Sequence, residues 1–196
     1  MRPYLNFKTA STIATSIVHS KPDYCNSLYY NLPKSQTIRL QVIQNSLARA
    51  VVKASKFCHV TPILKSLHWL KINERIEYKL LSLTYRGLKL LPLLNLLICL
   101  ISVQPPRATR SSSVVTLSRP PTSSSLKITN RSFRYASPHL WNQLPVSFRQ
   151  SCTKHPADDV TLSNSPPTYS PLSPSIIHSL FHSRLKTHLF HKSFPP

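Results

Sequence analysis

The sequence predicts a mainly α protein: a small helical bundle in the N-terminal half, an irregular basic segment with short strands, a disordered Pro/Ser linker and a C-terminal amphipathic helix. Three observations predict it. Apolar residues recur at three- and four-residue intervals through residues 35–54 and 73–88, the period of a helix that buries one face. Past Val103 the texture turns to Pro, Ser and Arg, with only brief β-favouring runs. The 18 prolines among 196 residues, together with the Ser-rich second half, remove much of that half from any packed core. The resulting division is a helical region over 1–102, a basic Ser/Arg-rich segment with aromatic anchors over 103–150, the linker over 151–174 and the last helix over 175–196.

Taken in order, a Thr/Ala/Ile stretch from Lys8 to Ser20 reads as a helix, and Asp23 to Tyr30 as a second short one ended by Pro33. Ser35 to Ala54 is the clearest helix, with Leu40, Ile43, Leu47 and Ala50/Val51 at one-face spacing and Arg39, Arg49 and Lys53 around them. A loop with Phe57, Cys58 and His59 leads to Thr61-Pro62, the pattern of an N-cap followed by proline at the first helical position, which opens a brief helix through Leu67. Asn73 has the place of an N-cap for a long helix, with Glu74 and Glu77 where the helix dipole favours anions. Its stripe of Ile76, Leu80, Leu83, Tyr85 and Leu88 is expected to pack on the Leu40 to Val51 stripe. Val114 to Leu117 and Ser125 to Thr129 favour strand, and Ser132 to Leu144 carries Phe133, Leu140 and Trp141 and should dock on a neighbour. Ser151 to Pro174 is the disordered linker. Ser175 to His191 closes the chain with Ile177, Leu180/Phe181, Leu185 and Leu189 on one face and His178, His182, Arg184 and Lys186 distributed around it.

Charge is the strongest functional signal. The formal net charge is +20, and between Tyr78 and Ala157 no acid accompanies Lys79, Arg86, Lys89, Arg107, Arg110, Arg119, Lys127, Arg131, Arg134, Arg149 and Lys154. Such a stretch cannot neutralise itself, so it either extends by self-repulsion or meets a polyanion. A nucleic acid, an anionic membrane surface and an acidic protein all fit that balance. Arg107, Arg110, Arg119, Lys127, Arg131 and Arg134 alternate with hydroxyl residues that also contact phosphate. Phe133, Tyr135 and Trp141 lie close by as candidate base-stacking residues, with core anchoring as the plainer role for Phe133 and Trp141.

Other chemistries find little support. A single glycine, Gly87, excludes the Gly-rich phosphate-cradling loops of nucleotide-binding motifs. Asp158-Asp159 resembles a metal-holding acid pair but sits in the Pro/Ser linker without a flanking apolar strand, and of the other acids, Asp23, Glu74 and Glu77, the last two are accounted for as helix-start residues. Cys25, Cys58, Cys99 and Cys152 are widely spaced, follow no apolar secretory segment, and read as reduced thiols. His178 with His182 and His188 with His191 have helical spacing, yet no cysteine pair faces them, so no metal site is expected. The serines lack a rigid turn with histidine and carboxylate behind it, so no catalytic residue and no cofactor are expected. The Leu88 to Ile101 run is too short for a membrane span and is interrupted by Pro92 and Asn95.

A series of short motifs carries a resemblance. Asp23-Tyr24-Cys25-Asn26-Ser27-Leu28 is followed by Leu40-Gln41, Ile43-Gln44-Asn45 and Ala48-Arg49, then Thr61-Pro62-Ile63-Leu64, Leu67-His68-Trp69-Leu70, Arg75-Ile76 and Tyr78-Lys79. Arg110-Ser111-Ser112-Ser113, Arg131-Ser132-Phe133, Ala136 with Pro138, Leu140-Trp141-Asn142, Leu144-Pro145 and Phe181 with Arg184 to Phe190 continue it. In that order, over nearly the whole chain, they resemble the region downstream of the polymerase in LINE-type, jockey-like non-LTR retrotransposon proteins. The resemblance implies descent from an RNA-directed DNA polymerase whose catalytic aspartates lie upstream, on a palm that nothing in this chain matches. One departure stands out: Leu88 to Leu100 is dominated by leucine where the family pattern has a polar linker with a Pro-x-Tyr-Leu element.

The expectation is a non-catalytic remnant of such a polymerase tail, with sequence-tolerant binding of RNA or single-stranded DNA through the basic 79–154 segment. A protein-interaction module docking a partner on the Leu40, Leu80 and Leu185 faces, or a translated fragment without a role, are the alternatives. Family and charge point to the nucleus or the cytoplasm, and no compact basic run marks a nuclear signal.

Overall fold

A computed structural model describes residues 4–24, 26–90, 102–103, 114–119, 131–149 and 173–195. Helices hold 76% of them, so the mainly α reading stands. Residues 151–172 of the predicted Pro/Ser linker, the Ser125 to Thr129 run and most of the leucine-rich segment lie outside the described residues.

Helix α1, Phe7–Ile13, starts where the Asn6 side chain accepts the Thr9 N–H at 2.7 Å, filling one of the orphan donors of a helix start. It runs into a π-helical segment, Ala14–His19. The hydroxyls of Thr12, Thr15 and Ser16 donate back to carbonyls three or four residues earlier, competition that loosens a regular helical ladder. Short helices α2, Ser20–Tyr24, and α3, Asn26–Tyr29, follow.

Helix α4, Lys34–Val52, buries Gln44, Ala48 and Val51, while Ile43 and Ala50 are exposed. Of the predicted Leu40, Ile43, Leu47 and Ala50/Val51 stripe, Val51 is buried and Leu40 and Leu47 pack against the two cores, but the inward face is rotated so that Gln44 and Ala48 take the inside in place of Ile43. The reason is polar: Gln44 Nε2 donates to the Leu70 carbonyl at 2.8 Å, and Gln41 Oε1 accepts the Ile72 N–H at 3.0 Å. Gln41 Nε2 in turn donates to Gln44 Oε1 and Asn45 Oδ1. These glutamines satisfy backbone groups of the loop that crosses α4, and each such buried bond, once lost, leaves a group whose desolvation costs about 1–3 kcal/mol.

The two helix starts expected from capping residues both lie two positions earlier. Helix α5, Val60–Ser66, begins after His59 rather than Thr61, leaving Pro62 in the first turn, where a missing N–H is harmless. Helix α6, Ile72–Leu90, begins before Asn73 because Gln41, on another helix, caps it. Left-handed backbone occurs at Asn31, Lys53 and His68, with φ of 55°, 57° and 54°. Lys53 closes α4 in a place glycine usually takes, and in a chain with one glycine the Cβ strain of such positions is borne by other residues.

Strands β1, Ser102–Val103, and β2, Thr116–Leu117, pair antiparallel with Ser102 opposite Leu117. The far edge of β2 is completed by a side chain: Asn142 Nδ2 donates to the Leu117 carbonyl and Asn142 Oδ1 accepts its N–H. Helix α7, Phe133–Gln143, supplies that asparagine, and α8, Val146–Arg149, follows. Helix α9, Ser173–Ser193, starts two residues inside the predicted linker and extends two past His191.

The main core is centred on α6. Ile76, Leu80, Leu81 and Tyr85 pack with Leu117, with Ala136, Leu140, Trp141 and Leu144, and with Phe181, Leu185 and Leu189. The bundle is thus completed by α7 and α9 rather than closed within the N-terminal half. Tyr85 stacks on Phe181 at 3.8 Å between centroids and 5° between planes, and Trp141 lies 6.2 Å from the same ring. Such pairs add about 0.5–1.5 kcal/mol to the burial of each ring. Leu83 and Leu180, expected in the stripes, are exposed. A second cluster joins Ala14, Ala48, Val51, Leu64 and Trp69 to Phe194 at the end of α9.

Candidate nucleic-acid interface

Of the six cations singled out in the sequence, Arg107, Arg110 and Lys127 lie outside the described residues. Arg119 is exposed just past β2, Arg131 is half-buried ahead of α7, and Arg134 is exposed in the first turn of α7. Phe133 and Tyr135 are half-buried, and Phe133 packs against the main core. Trp141 is 2% exposed, and its indole N–H donates to the Val115 carbonyl at 3.0 Å. It is a core anchor and offers no face for stacking a base, a correction that follows from this burial.

Arg119 lies within the electrostatic reach of Tyr30. Burial pushes the Tyr30 phenol above its usual range and the Glu77 carboxylate adds to that, while the Arg119 charge pulls the other way. The phenol is held 3.1 Å from His139 Nδ1 and stays protonated at neutral pH. This side of the molecule also has a cavity of about 490 Å³ between α3, α4 and α6, lined by Tyr30, Lys34, Glu74, Glu77 and Lys192. Acids and bases alternate in it, and Lys192 Nζ donates to both Glu77 oxygens at 2.9 and 2.7 Å. A polyanion gains little there.

The unbalanced cations gather elsewhere. Lys79 and Arg86 are two turns apart on one face of α6, and Lys186 faces them from α9, one turn beyond the imidazole of His182. Two cavities lie against them. One of about 340 Å³ is lined by Lys79 and Lys186 with Thr15, Asp23, Arg75, His68 and Tyr78; the other, of about 240 Å³, by Lys79, Arg86 and His182 with Tyr78 and Ser82. Asp23 accepts from Arg75 Nε and Nη2 at 2.9 Å each, which neutralises the acid of the first cavity. Lys79 and Arg86 belong to the acid-free stretch, but the α9 half of this surface was missed. Its one sequence signal is the four-residue spacing of His182 and Lys186, and nothing in the sequence says which helix they face.

Among the described residues the ion pairs are Asp23–Arg75 and Glu77–Lys192, and neither uses a cation between Lys79 and Arg149. No group of three His, Cys, Asp or Glu there could hold a metal ion, and no described helix is long and apolar enough to cross a membrane. Cys58 is an exposed free thiol. Asp158 and Asp159 lie outside the described residues. Comparison with protein-family models, with curated proteins and with solved structures finds no match to this chain.

Proposed function

We propose that this chain is a non-catalytic remnant of the tail of a LINE-type retrotransposon RNA-directed DNA polymerase, and that it binds RNA or single-stranded DNA without sequence preference through its basic 79–154 segment. The observation that carries this reading is the charge imbalance: the cations of that segment have no carboxylate among the described residues, while the acids Asp23 and Glu77 are engaged by Arg75 and Lys192. Unneutralised cations beside hydroxyl groups favour a phosphate backbone over an apolar ligand. Descent from the polymerase tail is supported by where the motif residues go. Asp23 pairs with Arg75, Gln41 and Gln44 bond the Leu70 to Ile72 loop, and Trp141 and Asn142 bond the β2 segment. Among the described residues, several of the motifs that carry the resemblance join elements of this fold. Such a protein would meet its ligand in the nucleus or the cytoplasm.

The test is binding of the full chain to a fluorescent single-stranded RNA over a series of salt concentrations, beside a variant with Arg107, Arg110, Arg131 and Arg134 each changed to Glu. Six phosphate contacts on a single strand give a logarithmic salt slope of roughly −4. Tight, salt-steep binding weakened in the variant supports the reading; weak binding that the variant shares sinks it.

A second reading, a protein-interaction module, cannot use the Leu80 and Leu185 faces expected for it, because both side chains are buried in the main core, and it draws on a different surface. Ile13, Ile17, Val42 and Ile43 are exposed, and an apolar depression of about 190 Å³ lies between α1 with its π-helical extension and α4. A partner bound there with little salt dependence, by a chain that ignores nucleic acid, favours it.

A further inference from the structure

We infer that a single-stranded phosphodiester backbone runs along the groove between α6 and α9, contacting Lys79 and Arg86 on one wall and Lys186 and His182 on the other. This rests on the nucleic-acid reading above and adds to it a site half built by a helix that the acid-free segment does not include.

The two cavities of the groove share Tyr78 and Lys79, so Lys79 stands at their junction with cations on either side. Along α6 the seven residues from Lys79 to Arg86 advance about 10 Å, and Lys186 joins them from α9, which distributes charge along a path instead of at a point. Arg86 and Lys186 are exposed and Lys79 half-buried, so the positive groups are open to a ligand. Hydroxyl groups accompany them: Ser82 Oγ lies 3.2 Å from His182 Nδ1 and the Tyr78 hydroxyl 3.5 Å from the same nitrogen. Cations interleaved with neutral hydroxyls suit phosphate oxygens, and a carboxylate-bearing peptide would need only the cations. No acid lines the smaller cavity, and the one acid of the larger, Asp23, is engaged by both donors of Arg75. At the α5 end His68 is exposed in its left-handed conformation, its ring 6.1 Å from Phe190, where an unstacked base can meet it. A flexible single strand can enter such a groove, whereas a stacked duplex offers only its outer phosphates.

Two double variants of the full chain separate the possibilities, Lys79→Gln with Lys186→Gln for the groove and Arg131→Gln with Arg134→Gln for the Ser/Arg segment. Each is titrated with an oligouridine and with an oligothymidine over a salt series. Losing two single-strand phosphate contacts flattens the logarithmic salt slope by about 1.4. Over a fourfold rise in salt the wild type then loses about sevenfold more affinity than the groove variant. Lys79→Arg with Lys186→Arg should restore the wild-type slope, a result that damage to the fold would not produce. Equal slopes for the two polymers mean a shared phosphodiester contact, and a groove effect on oligouridine alone assigns the site to RNA. A wild type that binds steeply while the groove variant keeps its slope overturns the groove and leaves the nucleic-acid reading standing. A wild type that binds neither polymer overturns both.

Discussion

The core where α6 meets α7 and α9 and the layer where α1 and its π-helical extension meet α4 are built on different terms. In the first, Leu185 is 0% exposed, Leu80 1% and Trp141 2%, and polar groups among them are matched: Thr84 with Ser137, and Trp141 with Val115. In the second, Ala10, Ala14, Ala48 and Val51 do the burying, while Phe7, Ile13 and Ile17 stay exposed at 56%, 40% and 60%. Large side chains locked by stacking and hydrogen bonds define one arrangement; small ones with exposed neighbours leave a surface that another molecule could cover. Helix α6 therefore does two tasks, anchoring the fold with Leu80 and Tyr85 and presenting Lys79 and Arg86 beside α9.

The largest expected effect contrasts the two regions directly. Leu185→Ala should cost about 2–5 kcal/mol in urea or thermal unfolding, because it removes a leucine with no accessible surface from the packed core. Ile17→Ala should stay within about 0.5 kcal/mol, as expected of an exposed position. Equal losses would mean that the N-terminal layer is as much part of the cooperative core as α9 is.

A smaller effect sharpens the boundary between them. Gln44→Ala should destabilise by about 1–3 kcal/mol, since the Leu70 carbonyl loses its donor in a buried site. The loss would be read as a lower urea midpoint with an unchanged slope, and a neutral result would show that water replaces the amide.

The smallest effect concerns pH. The Tyr30 phenol is raised above 10.0 in the folded chain, so the folded state favours its protonated form. The sign follows: this contribution is fully present below the unfolded value, near pH 10, and is lost as pH rises through the folded value. Tyr30→Phe should flatten the fall of stability with alkaline pH, measured as Tm against pH, and an unchanged profile would assign that fall to other groups.

Much of this was legible in residue periodicity. The long helices near residues 35–54, 73–88 and 175–191 appear with their ends displaced by one or two residues, and Ser132 to Leu144 docks as its apolar content requires. The rotation of α4 was not legible, because hydrophobicity treats Gln44 as a surface residue whereas the structure uses its amide to satisfy the Leu70 carbonyl. Nor was the start of α6, whose cap comes from Gln41 across 31 residues and not from Asn73. The candidate interface was half visible. An acid-free stretch shows that its charge is not neutralised from within, but the juxtaposition of Lys79 and Arg86 with His182 and Lys186 joins positions about 100 residues apart.

What the sequence by itself determined was helix content, the amphipathic period of each long helix and the sign of the surface charge, all of which depend on residues within a turn or two of one another. Tertiary structure alone decided which face of α4 turns inward, that Trp141 is an anchor instead of a stacking platform, and that α9 lies beside α6. Those outcomes depend on which buried polar groups find partners and which side chains interlock, and both are settled only when segments distant in sequence pack together.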